Sequence, residues 1–209
     1  PLPAAWRSRA SHVPIGVDAA AYSPAPAPRP RRLVQLGALA PYKGVRETVE
    51  AFARAHRAVP GSELVLAGDG PQREEVERLV GELGLDGAVR VLGARPHDEI
   101  AAVLRDARAL VSASHGEPFG LAVLEAMATG LAVIAVDEGG PRTIVVEGEG
   151  GLHFPRGDVA ALAERMERLL TDDELAQRMG AANRRRVEER FSLDVVVPQL
   201  EAAFERARR

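Results

Sequence analysis

Two glutamates, Glu117 and Glu125, bracket the run Ser114-His115-Gly116-Glu117-Pro118-Phe119-Gly120-Leu121-Ala122-Val123-Leu124-Glu125-Ala126-Met127-Ala128. Glu125 is the only charged residue between Gly120 and Val136. Its neighbours are apolar enough to form a core, and a carboxylate placed there costs several kcal/mol, roughly, unless donors satisfy it. Glu117 falls just before the expected start of a helix. There the free N–H groups of Phe119, Gly120 and Leu121 would face an anion. One carboxylate for hydroxyls, amides for phosphate and a second carboxylate nearby describe a nucleotide-sugar pocket. The plain alternatives are a helix-start carboxylate interacting with the macrodipole for Glu117 and a solvated helix face for Glu125.

A second group precedes them. The chain has 27 basic residues, and Lys43 is the single lysine among them. It closes Gly37-Ala38-Leu39-Ala40-Pro41-Tyr42-Lys43-Gly44, where glycine allows close backbone approach and a compact ammonium can reach a diphosphate. An ordinary strand-to-helix loop is the alternative. Gly68-Asp69-Gly70-Pro71 reads as a tight turn, and Gly139-Gly140-Pro141 as a turn with Pro141 at a helix start, its glycines suited to phosphate or sugar. The five histidines show no metal-ligand spacing, and His115, two residues from Glu117, reads as a surface-loop residue, with a place in the pocket lining as the alternative. The Arg184-Arg185-Arg186 run, followed by Glu188 and Glu189, reads as a solvated helix face.

These segments need a scaffold, and the pattern between them supplies one. Apolar strands are expected at Arg32–Gly37, Glu63–Ala67, Ala88–Leu92, Ala109–Ala113, Ala132–Val136 and Gly151–Phe154. Helical periodicity alternates with them at Val45–Val59, Gln72–Leu83, Asp98–Arg105, the segment carrying Glu117 and Glu125, and Val159–Leu170 capped by Asp158. A charged helix from Asp172 to Arg190 and a terminal one capped by Ser192 follow. The alternation predicts an α/β domain, a Rossmann-like parallel sheet with helices on both faces. Each glycine-rich segment leaves the carboxyl end of a strand, where such sheets bind ligands. Residues 1–31, rich in proline and alanine, read as a lead-in segment or interdomain linker outside the core. Residues 32–190 form the domain and 191–209 a helical extension.

Composition excludes several classes. A net charge of −3 leaves no basic footprint for nucleic acid, and 4% aromatics leave no base-stacking platform. There is no cysteine, hence no disulfide or thiolate metal site. No apolar run is long enough to span a bilayer. The start at Pro1-Leu2-Pro3 is neither an initiator methionine nor a signal peptide, so the chain is expected to be a piece of a longer, cytoplasmic protein.

Taken in order, these residues resemble the donor-binding half of retaining glycosyltransferases of family 4, which have the two-domain GT-B fold. The resemblance begins at Val13-Pro14-Ile15-Gly16-Val17-Asp18. It runs through Gly37…Lys43-Gly44, Gly68-Asp69-Gly70-Pro71, Glu117-Pro118-Phe119-Gly120…Glu125-Ala126-Met127-Ala128 and Gly139-Gly140-Pro141, and ends at Gly151, Gly157-Asp158 and Arg190-Phe191-Ser192. It implies that Glu125 binds the donor ribose, that Glu117 contacts the donor sugar, and that Phe119, Gly120 and Leu121 offer amides to sugar and phosphate. Lys43 matches the diphosphate lysine, making Glu117 and Lys43 the catalytic pair, and Gly93-Ala94-Arg95 lies where the base is held. The terminal helix, from Leu193 to about Arg208, resembles one that crosses back to an N-terminal domain.

The implied donor is a UDP- or GDP-hexose, with no metal or other cofactor. The implied partner is the absent N-terminal acceptor domain, through which peripheral membrane contact would also come. This piece alone is expected to bind donor weakly and transfer nothing. Four positions depart from the family pattern: Ala38 replaces the usual arginine, Ala113 and Ala132 replace prolines, and Thr143 replaces a frequent glutamate. Ala38 removes one of two cations, and Arg46 and Arg142 are the candidate substitutes. Two other readings remain at this level: a degenerate nucleotide-sugar-binding scaffold, suggested by Ala38, and a GT-B nucleotide-sugar 2-epimerase.

Overall fold

The computed structural model describes residues 10–24 and 28–208. Residues 1–9 and 25–27 of the expected lead-in segment, and Arg209, lie outside them. The described residues form six strands: β1 (Arg32–Leu36), β2 (Glu63–Ala67), β3 (Val89–Gly93), β4 (Ala109–Ser112), β5 (Ala132–Val136) and β6 (Gly151–Phe154). All pair in parallel, in the order β3-β2-β1-β4-β5-β6. Eight α-helices accompany them: α1 (Val45–Ala58), α2 (Arg73–Glu82), α3 (His97–Arg105), α4 (Leu121–Ala128), α5 (Gly139–Ile144), α6 (Val159–Thr171), α7 (Asp173–Arg190) and α8 (Leu193–Ala207). The α/β fold with helices on both faces is thus as the pattern predicts, to within one or two residues at most element ends.

Two apolar layers sandwich the sheet. Phe52 of α1, Val76 of α2 and Leu162 and Met166 of α6 pack with Leu33, Leu64 and Ile134 on one face. Leu104 of α3, Leu124 and Met127 of α4 and Ile144 of α5 pack with Val34, Val65 and Val133 on the other. Strands buried on both sides are what near-continuous apolar runs require. Asp158 caps α6 by accepting from the Ala161 amide. Ser192 precedes α8 as expected, but its hydroxyl donates to the Glu188 carbonyl instead of capping the helix.

Two expectations are corrected here. The lead-in segment is not outside the core: Val17 and Tyr22 are 5% and 2% exposed and pack in the α3–α4–α5 layer. Val17 bridges Ser192, so the segment is fixed by residues far along the chain, which its proline-rich composition conceals. Nor is the arginine run a solvated face. Arg184 Nη1 donates to the carbonyls of Ala19, Tyr22 and Ala128, and Arg186 Nε donates to Ile144 O. Only Arg185 of the three is exposed.

Candidate donor site

The strand order reverses between β1 and β4, and the sheet opens there. The two strands pair only at Leu33–Ala109 and Val34–Leu110, so Gln35 and Leu36 separate from Val111 and Ser112. A crevice of about 190 Å³ fills the gap at their carboxyl ends. This is the switch point at which open parallel sheets bind ligands.

Lys43 reaches this crevice from the loop after β1. A 3₁₀ turn, Pro41–Lys43, shapes the loop. Gly37 takes φ +126°, a conformation that favours glycine, and the lysine stem lies over it, with Lys43 Cε at ordinary contact distance, 3.5 Å, from where a Cβ would be. The Gln35 side-chain amide holds the Lys43 carbonyl at 2.8 Å. The Gly68–Pro71 turn braces the same loop, with the Leu39 amide donating to Asp69 O and the Gln72 amide to Leu39 O.

Glu117 lies opposite. Its Oε2 accepts from Lys43 Nζ at 2.8 Å, and its Oε1 accepts from the Gly120 amide at 3.2 Å. Burial works to raise this carboxyl, but Lys43 and the amides of Phe119 and Gly120 outweigh it, so it titrates below its ordinary value. The expected anion-facing amides are therefore divided. Those of Phe119 and Gly120 serve Glu117, whereas Leu121 and Ala122, also lining the crevice, open α4 without intrahelical acceptors. Phe119 itself packs against the core.

Gly139 and Gly140 hold the Glu117 loop in place. A Cβ on Gly140 would lie 2.2 Å from the Phe119 carbonyl oxygen, and one on Gly139 would lie 2.5 Å from that of Glu117. The Gly140 amide donates to Glu117 O at 2.8 Å. These glycines serve close backbone packing, and Pro141 is the third residue of α5, not its first.

Glu125 faces elsewhere, on the second turn of α4. It is 7% exposed, and burial raises its carboxyl above the ordinary range. The Tyr22 hydroxyl faces it, and Nδ1 of His97 lies 3.8 Å from its Oε1. Tyr22 and His97 also meet each other, hydroxyl to Nε2, at 3.2 Å. Neither residue stood out in the sequence. Tyr22 lies in a segment read as linker, and His97 lacks motif context.

The structure thus brings Gly37, Lys43, Glu117, Gly120 and Leu121 to one crevice, with Gln35, Ser112 and Ser114 added. Gly93 and Arg95 do not line it. Gly93 ends β3, and the Arg95 guanidinium folds back onto the Leu92 carbonyl. The proposed substitute cations do not reach it either: Arg46 pairs with Glu50 and Glu75, and Arg142 with Asp137. His115 is not a surface residue. Its side chain is 16% exposed, between Glu47 and Glu138. Among the described residues no group of three or more histidine or acidic side chains gathers as a metal site, and no helix is long and apolar enough to cross a membrane.

Comparison with known proteins agrees with this architecture. The family model described as glycosyl transferases group 1 matches residues 22–186. A glycogen synthase of Mycobacterium tuberculosis is 35% identical over 198 residues, covering 93% of this chain and 48% of the relative. A sucrose-phosphate synthase structure from Thermosynechococcus elongatus superposes with TM-score 0.84 at 31% identity, over 93% of this chain and 52% of that one. The C-terminal domain of a group 1 glycosyl transferase from Francisella tularensis gives TM-score 0.78 at 27% identity, over 85% of this chain and all of that domain. The chain therefore spans about half the length of the full relatives it matches, and it belongs to the group 1 glycosyl transferase family.

Proposed function

We propose that this chain is the donor-binding domain of a retaining, family 4 glycosyltransferase, which moves a hexosyl group from a nucleoside diphosphate sugar to an acceptor hydroxyl. The observation that carries the reading is the Lys43–Glu117 pair at the mouth of the β1/β4 crevice, beside the open amides of α4. Glu117 occupies the place an anion would take between a lysine and a helix N-terminus. A diphosphate is better suited to it, carrying more charge and more acceptor oxygens. Its arrival draws Lys43 away and frees Glu117 for the hydroxyls of the donor sugar.

Lys43 and the α4 amides then stabilise the diphosphate leaving group, on which negative charge grows as the glycosidic bond breaks. Glu125, with acceptor capacity left over, receives the ribose hydroxyls. The match to an isolated C-terminal domain supports assigning the acceptor site to a separate N-terminal domain. So does α8, which exposes Leu193, Val197, Leu200 and Phe204 along one face, a surface suited to crossing back against that domain. A donor screen on the complete two-domain protein tests the proposal. Transfer of hexose with retained anomeric configuration, reduced at least a hundredfold by both Glu117→Ala and Lys43→Ala, supports it. Inverted product, or variants as active as the wild type, refutes it.

A second reading, a nucleotide-binding scaffold without turnover, draws on Ala38 and on the pairing of Arg46 and Arg142 with acidic side chains that do not line the crevice. Nucleotide binding by the complete protein, with no transfer from any donor, would favour it.

A further inference from the structure

Glu125 has an unexpected neighbour, a tyrosine 103 residues earlier in the chain, whose hydroxyl meets His97 Nε2 at 3.2 Å, while His97 Nδ1 lies 3.8 Å from Glu125 Oε1. The Tyr22 ring is 2% exposed and sits edge-on to the His97 imidazole, at 6.1 Å between centroids and 77° between planes. We propose that Tyr22 is a positioning residue of the nucleoside subsite, fixing the Glu125 carboxylate, with His97 at its open edge, for the two ribose hydroxyls of a nucleoside diphosphate. This rests on the donor-site reading above.

Three observations carry it. First, a carboxylate has about four lone-pair sites, and with the Tyr22 hydroxyl paired to His97 Nε2 and His97 Nδ1 3.8 Å away, most of them are left for a ligand. Second, the contacts are layered by exposure. Tyr22 is buried, the Glu125 side chain is 9% exposed, and His97, 3.8 Å from it, is 75% exposed. A vicinal diol therefore approaches past His97 to meet the carboxylate.

Third, Tyr22 is not free to move. Arg184 Nη1 donates to the Tyr22 carbonyl at 2.5 Å, to Ala19 O at 2.9 Å and to Ala128 O at 2.6 Å. Ala128 is the last residue of α4, the helix that carries Glu125. One guanidinium thus ties the tyrosine's backbone to the helix that carries Glu125. The lead-in segment becomes part of the ribose subsite.

Calorimetry on this chain with UDP, GDP, their 2′,3′-dideoxy analogues and inorganic pyrophosphate tests the inference. Tyr22→Phe keeps the ring and removes only the hydroxyl. It is expected to weaken UDP and GDP by about fivefold, the worth of one hydrogen bond, while leaving pyrophosphate and the dideoxy analogues unchanged. His97→Ala, at an exposed position, is expected to lose ribose preference in the same sense by a smaller factor, and it carries the test should Tyr22→Phe not fold. An equal loss on all ligands, or ribose preference intact in both variants, overturns the inference. A wild-type chain that binds neither nucleotide removes the donor-site reading itself. Binding with Tyr22→Phe and His97→Ala both unaffected removes only this step.

Discussion

Lys43 Nζ and Glu117 Oε2 meet at 2.8 Å although 74 residues separate them. They arrive from loops after β1 and β4, adjacent strands whose helices cover opposite faces of the sheet. Neither loop would place its charge usefully alone. The lysine's backbone is held by Gln35 after the turn at Gly37, and the glutamate needs Gly139 and Gly140 to let its backbone settle.

The pair sets a titration that one substitution should move. In Lys43→Ala the burial of Glu117 remains and its main counter-charge is gone, so its carboxyl should rise. Carboxyl-detected NMR titration measures this directly. The stability consequence follows in sign. A carboxyl held below its ordinary 4.5 stabilises the fold above that pH, and the contribution is lost as pH falls through the lowered value. Wild type should therefore lose more stability than Lys43→Ala on acidification below pH 4.5.

Glu125 behaves oppositely. Burial raises its carboxyl, so the folded chain holds that proton more tightly than the unfolded one. Its ionisation costs stability as pH rises from 4.5 through the raised value. Glu125→Gln should remove this cost and shift the urea midpoint upward at neutral pH. Ribose hydroxyls donate to the ionised form, so the ratio of wild-type to Glu125→Gln nucleotide affinity should fall as pH drops through a value above 4.5. A ratio flat down to pH 4 contradicts the assignment.

Gly140→Ala tests the packing beneath the site. The added Cβ would meet the Phe119 carbonyl oxygen at 2.2 Å and its Cα at 2.3 Å, both backbone atoms that cannot rotate away. The loop must shift, at a cost of about 1–3 kcal/mol in stability, and nucleotide affinity should fall with it. Denaturant unfolding and calorimetry on one preparation read both. Loss of stability with affinity preserved would show that the loop's placement does not matter to binding.

Arg184→Ala removes the donor shared by Ala19, Tyr22 and Ala128 and should destabilise by about 1–3 kcal/mol, the cost of leaving inward carbonyls unsatisfied. Limited proteolysis should then cut between residues 10 and 24 faster than in wild type.

Much of this was legible in the sequence, for identifiable reasons. The strands are apolar on both faces, and their glycine-rich exits mark the ligand edge without coordinates. Glu125 stood out because a lone charge in a greasy segment needs a partner, and its burial agrees. The same signal was present in Gln35, the one polar residue within Leu33-Val34-Gln35-Leu36, which proves to hold the Lys43 backbone. Three features were hidden because they depend on distant pairing. Tyr22 lies in a proline-rich stretch that looks unstructured until Ser192 and Arg184 anchor it. Arg184 sits among other charges and resembles a solvated residue. The Gly139–Gly140 pair resembles a phosphate cradle until the Glu117–Phe119 backbone is placed against it.

Binding calorimetry of UDP and GDP to this chain, wild type against Lys43→Ala, tests the central claim most directly. Saturable one-to-one binding of at least one of the two nucleotides is expected, weakened about tenfold or more when the charge opposite Glu117 is removed. No binding of either at millimolar concentration by the folded chain, or equal affinity in the variant, would contradict it.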